Sequence, residues 1–125
     1  MKVESFESLD FYQNSLKLIK AAYRLANSLP SYECYNLSDQ LRRAACSVAL
    51  NIAEGYGRHH YKERLRFLYI ARGSLAETLS AFIIANNLEY CNEKQLSWVS
   101  ELKAQIEKEL NGYCRTLRSE NDFLK

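Results

Sequence analysis

Residues 61–87, YKERLRFLYIARGSLAETLSAFIIANN, contain no proline and a single glycine, and the periodicity of their apolar side chains decides the architecture. At 1.5 Å per residue the stretch predicts a helix of about 40 Å. On a wheel of 100° per residue Leu65, Leu68, Leu75, Leu79 and Phe82 share one side, whereas Phe67, Ile70 and Ile84 group on another. A helix that is apolar on two sides needs cover on two sides. One stripe can face a core, and in so small a domain the other needs a neighbouring helix or a neighbouring subunit. Self-association is therefore expected, with Phe67, Ile70 and Gly73 as the contact.

Three further helices fit around this one. A first runs from Ser8 to Ser28, with Leu9, Tyr12, Leu16, Ile19 and Tyr23 recurring along one face, and Pro30 stops it. After a loop at 31–35, Asn36 is placed to cap a second, whose apolar stripe is Leu37, Leu41, Ala45, Val48 and Ile52 and whose end is expected at Gly55 and Gly57. The fourth opens at Asn92 with Gln95 three residues on, a capping-box spacing, and buries Leu96, Val99, Ile106, Leu110, Tyr113 and Leu117. Its tail beyond Ser119 is expected to fray. Short connections between long helices make neighbours antiparallel, so the fold class is all-α, an up-and-down four-helix bundle forming a single domain over 1–125.

Composition agrees with that class. Hydrophobic residues make up 47% and charged residues 26%, with one proline and four glycines in 125 residues, a balance that folds and favours helices. The acidic N-terminus, with Glu4, Glu7 and Asp10, does not read as a secretory signal, and no run of about eighteen apolar residues stands out as a membrane span. A cytoplasmic protein is expected, with Cys34, Cys46, Cys91 and Cys114 as reduced, packed thiols. The net charge of +2 is unevenly spread: residues 42–75 hold seven Lys/Arg against two Asp/Glu, while the flanking segments are both slightly acidic.

The second helix carries the most specific chemistry. In Gln40–Arg58, QLRRAACSVALNIAEGYGR, the residues Arg43, Ser47, Asn51, Glu54 and Arg58 all fall within about 60° of Gln40. Gln, Ser and Asn are short groups that hydrogen-bond in confined space, so the stripe reads as a network fixing helix register rather than a solvated face. Ala45, Ala49 and Ala53 form a small-residue ridge, and Gly73, Ala76 and Ser80 another, each allowing close helix approach within the bundle or between subunits.

Two blocks stand out in the stretch from Gln40 to Glu77: QLRRAA-x-S-x-x-x-NIAEG-x-GR at 40–58 and IARGS-x-x-E at 70–77. With FESLDFYQ at 6–13 they resemble the four-helix-bundle family named for proteins encoded in 23S ribosomal RNA intervening sequences. The resemblance extends over nearly the whole chain and adds Ser74 and Glu77 to the expected polar network. It implies a cyclic homopentamer of antiparallel bundles shaped like a barrel, without established enzymatic activity. That family is similar to the accessory variability proteins of diversity-generating retroelements, which implies an alternative role: binding a reverse transcriptase together with nucleic acid.

Among function classes, nucleic-acid binding is the expected activity. Arg42, Arg43, Arg58, His59, His60, Lys62, Arg64 and Arg66 crowd the second helix and the start of the third, with Tyr56 and Tyr61 nearby for base stacking. The opposing reading is an ordinary solvated basic face. A metal-dependent enzyme is not expected, since di-metal bundles use Glu-x-x-His pairs and neither His59 nor His60 belongs to one. Adjacent histidines point 100° apart and do not chelate together. No catalytic residue, metal or cofactor is assigned. A protein-interaction scaffold is the third class, resting on the second apolar face of the long helix.

Overall fold

The structure, a computed structural model, describes residues 5–124. Four helices account for the fold: α1 (Asp10–Ser28), α2 (Leu37–Gly57), α3 (Tyr61–Asn87) and α4 (Glu93–Leu124), with short 3-10 turns at Phe6–Ser8 and Ser31–Glu33 and no strand among the described residues. Each helix packs on its two chain neighbours and α1 closes against α4. Cross-links at both ends fix the directions. Ser38 Oγ donates to the Ala26 carbonyl at 3.0 Å where α1 hands over to α2, and Asn14 Nδ2 reaches Glu109 Oε1 at 2.9 Å across α1 and α4. All neighbours are antiparallel.

Leu18, Leu41, Ile52, Leu68, Leu75, Ile106 and Leu110 fill the core. The expected stripe of α2 is buried in full, and Leu65, Leu68, Leu75 and Phe82 of α3 face it, with Leu79 at its edge. The expected face of α1 needs correction. Phe11, Ser15, Leu18, Ala22 and Leu25 are buried, about 100° around the helix from the anticipated stripe, whereas Tyr23 is exposed and Leu9, Tyr12 and Ile19 only flank the core. Tyrosine combines an apolar ring with a hydroxyl that prefers water, so Tyr12 and Tyr23 mark the margin of a buried face rather than its centre.

Helix ends explain the connections. α1 begins at Asp10, not Ser8, because 6–8 close as a 3-10 turn with Ser5 Oγ accepting from Glu7 N–H. Asn36 holds the N-cap position of α2, but its side chain does not cap. Glu33 does so: its buried carboxylate accepts from Leu37 N–H at 3.4 Å, Asn36 Nδ2 at 3.3 Å and Tyr90 Oη at 3.0 Å. That clamp ties the α1–α2 connection to the α3–α4 connection. The capping box of α4 forms, with Asn92 and Gln95 each accepting the other's backbone N–H at 2.8 Å. α4 also continues beyond Ser119 as helix to Leu124.

Two glycine expectations change. Gly55 does not end α2; it is a buried residue inside the helix, where a Cβ would stand 3.0 Å from the Arg64 carbonyl oxygen and 3.2 Å from Phe67 Cβ. Its role is to let α3 start close against α2. The Gly73, Ala76, Ser80 ridge does the reverse: all three are exposed and nothing lies within 4 Å of a Cβ on Gly73, so the ridge makes no close contact within the chain.

Cys91 and Cys114 are packed as expected and burial pushes both thiols up, whereas Cys34 is exposed and Cys46 half-buried. The membrane expectation is also corrected. An eighteen-residue window of α3 reaches a mean hydropathy of 1.3, so by length and composition α3 is apolar enough to cross a bilayer; here it serves as a wall of the bundle.

Candidate nucleic-acid interface

The tight turn between α2 and α3 concentrates basic residues, and the structure divides them by task. Arg58 is the C-cap of α2, its guanidinium held by Glu54 at 2.5 Å and Glu63 at 3.8 Å and lying 4.8 Å over the Phe67 ring. The Glu54–Arg58 contact forms because α2 stays helical through both glycines. Arg64 donates to the Tyr56 carbonyl at 3.1 Å, satisfying an acceptor that the last turn of a helix leaves open, and stacks over the Tyr56 ring. Both arginines help to close the turn.

Arg42 and Arg43 stand elsewhere. Fifteen residues separate Arg43 from Arg58 along one helix, about 22 Å at 1.5 Å per residue. Arg43 sits 3.6 Å from Asp39 on an exposed surface, and Arg42 lies close enough to Tyr23 on α1 to act on its hydroxyl. His59 and His60 are exposed and meet edge to face. The single basic cluster of the sequence is therefore two separated groups.

What remains at the turn joins residues from another helix. Lys62 and Arg66, together with Tyr61, Leu65, Tyr69 and Ile70 of α3 and Arg118 of α4, line an open groove of about 560 Å³. Arg118 donates to the Tyr69 hydroxyl. Arg72 lies 4.8 Å over the Tyr69 ring and is anchored on Asn111 Oδ1 at 2.9 Å. Among the described residues no carboxylate lines the groove. Three cations and two phenol rings on an apolar base are the components that hold a phosphate backbone and stack unpaired bases. Arg118, Arg72 and Tyr69 were missed in the sequence; Tyr69 shares the Lys62 and Arg66 face of α3 and was within reach of a wheel, but Arg118 is brought in only by the α3–α4 pairing.

The polar stripe of α2 separates into three parts. At mid-helix Ser47 Oγ meets Ser74 Oγ at 2.8 Å, and Asn51 Nδ2 donates to Ser47 O and Oγ at 2.8 and 3.0 Å, a hydrogen-bonded tie between α2 and α3. Toward the turn Glu54 is taken by Arg58. Toward the other end Gln40, Arg43, Ser47 and Glu77 line an open polar recess, so Gln40 and Glu77 do not join the hydrogen-bonded tie. On the outer side of α3, Phe67 is half-buried beneath the guanidinium groups of Arg58 and Arg66, while Ile70 (42%), Ile84 (48%) and Leu88 (52%) remain exposed. Among the described residues no three His, Cys, Asp or Glu side chains gather around a common point.

The family profile described as "23S rRNA-intervening sequence protein" matches residues 7–112. The chain belongs to this family. The two sequence blocks lie within the matched range and supply the Ser47–Asn51–Ser74 tie and the Gly55 close approach between α2 and α3. A solved structure, a protein of unknown function from the S23 ribosomal protein family of Bacteroides thetaiotaomicron VPI-5482, superposes with a TM-score of 0.76 at 21% identity. The match covers 83% of this chain and 97% of that one, which shows a shared fold. No curated protein matches the chain.

Proposed function

We propose that this intervening-sequence family protein is a non-enzymatic, cytoplasmic binding protein that holds single-stranded nucleic acid in the α3–α4 groove and works as a homo-oligomer. The observation that carries the reading is the groove itself: Lys62, Arg66 and Arg118 converge from two helices beside Tyr61 and Tyr69, with no acid among the described lining residues. Lysine and arginine neutralise phosphates and release counterions, and tyrosine rings stack on bases that are free of a duplex. Nothing in the fold offers a recognition helix for a duplex groove, so backbone and stacking contacts dominate over base-edge readout.

The outer side of α3 supports the oligomeric part. Its first half is basic and belongs to the groove, whereas Gly73 and Ile84 in its second half and Leu88 at its C-cap share one exposed apolar side with open space at the glycine, and Ile83 is exposed beside them. Copies meeting along that side cover it, and the homopentamer implied by family resemblance repeats the groove around a ring, raising avidity without new contacts. Docking of a reverse transcriptase, the retroelement alternative, would use the surface near the same basic region.

Anisotropy of a labelled single-stranded RNA or DNA tests the activity. Binding should weaken steeply with salt, and Lys62→Glu, Arg66→Glu and Arg118→Glu should each weaken it and lower the salt slope by about 1. Arg43→Glu, remote from the groove, should leave binding nearly unchanged. Salt-independent binding, or equal losses from groove and remote variants, contradicts the proposal.

A further inference from the structure

A second recess lies at the other end of α4, where α1 finishes, and none of its residues belongs to the groove. Ala21 and Leu25 of α1 and Val99 of α4 give it an apolar base, and the indole of Trp98, 50% exposed, stands beside them. Arg24 of α1 and Lys94 of α4 bring one cation from each helix, and no carboxylate among the described residues lines the space of about 370 Å³. Among the described residues neither cation forms an ion pair.

We propose that this recess binds a nucleotide, its base laid against Trp98 and its phosphate held by Arg24 and Lys94. A purely apolar ligand would make no use of the two cations, and a bare phosphate none of the indole; a base carrying a phosphate uses both. Base stacking on an aromatic ring is worth about 1–3 kcal/mol, and arginine offers the paired N–H donors that fit phosphate oxygens. Gln95 adds an edge contact: its Oε1 is committed to capping Asn92 N–H, which leaves the amide N–H groups directed to an acceptor on the base. Lys17 and Lys20 are exposed one turn apart on the Arg24 face of α1, so the positive surface runs on past one phosphate. The same chemistry therefore suits a free mononucleotide or a nucleotide within a strand.

Trp98 is the only tryptophan in the chain, which makes its fluorescence a local reporter. The full chain is titrated with adenosine monophosphate and, separately, with a short adenine oligonucleotide. Saturable quenching by both identifies a free nucleotide as sufficient, and quenching by the oligonucleotide alone identifies the strand as the source; either result supports the site. Arg24→Glu and Lys94→Glu should each raise the dissociation constant about tenfold with helicity unchanged. Lys62→Glu should leave the quenching as it was, so that failure of the groove and failure of this recess are told apart. Absence of quenching by either ligand at millimolar concentration, or quenching indifferent to both charge reversals, overturns the proposal.

Discussion

Glu89 has φ 66°, the one positive φ at a non-glycine residue among those described. It follows the C-cap of α3, where Tyr90 N–H reaches the Ala85 carbonyl at 2.8 Å and Glu89 N–H reaches that of Asn86 at 3.0 Å, the paired bonds of a Schellman ending. Glycine fits that left-handed position without a Cβ clash, so Glu89→Gly should stabilise the protein by about 1 kcal/mol. Thermal unfolding followed by circular dichroism should show a rise of about 4 °C in Tm; an unchanged or lower Tm contradicts the strain assigned here. Little of this was legible beforehand, because no glycine marks the turn and Glu33, which anchors Tyr90, sat in a stretch read simply as loop. At the α2–α3 turn residue type showed the charge but not its neighbours. Lysines and arginines at 58–66 were visible, but charge alone does not tell that Arg58 pairs with Glu54 and Arg64 bonds the Tyr56 carbonyl while Arg66 lines the groove.

At the level of elements, periodicity recovered what depends on one helix and lost what depends on two. The α2 stripe was read correctly, and in α4 Val99, Ile106, Leu110 and Leu117 are buried as expected while Leu96 and Tyr113 only flank the core; the α1 stripe included tyrosines and missed the small buried Ser15 and Ala22. Arg118 could not be joined to Lys62 before α3 and α4 were paired. Gly55 shows the same limit, since its neighbours are the Arg64 backbone and Phe67 on the next helix. Alanine there gains about 1 kcal/mol of helix propensity, but overpacking against a backbone oxygen costs about 1–3 kcal/mol. Gly55→Ala should therefore lower Tm, while Gly57→Ala, with nothing within 4 Å, should not. Equal melting temperatures for the two variants would show that α2 and α3 do not meet as closely as described.

For the whole molecule, several groups keep their protons more tightly in the fold than in the unfolded chain. Tyr23 is raised by its contact with Cys46, Tyr90 by its bond to Tyr32, its burial and Glu33, and Tyr113, Cys91 and Cys114 by burial. Folded values above unfolded ones give stability that is fully present below the ordinary values, 9.0 for the thiols and 10.0 for the phenols, and is lost as pH rises through the folded ones. Tm should hold steady near pH 8 and fall progressively towards about pH 11; a flat profile over that range contradicts the assignment. The functional account places several copies side by side along the second half of α3, each presenting its own groove. Light scattering after size exclusion at micromolar concentration tests this most directly. The account predicts one species with a mass several times the 14.5 kDa of the chain, reduced to that of a single chain by Ile84→Glu; a wild-type mass of 14.5 kDa would contradict it.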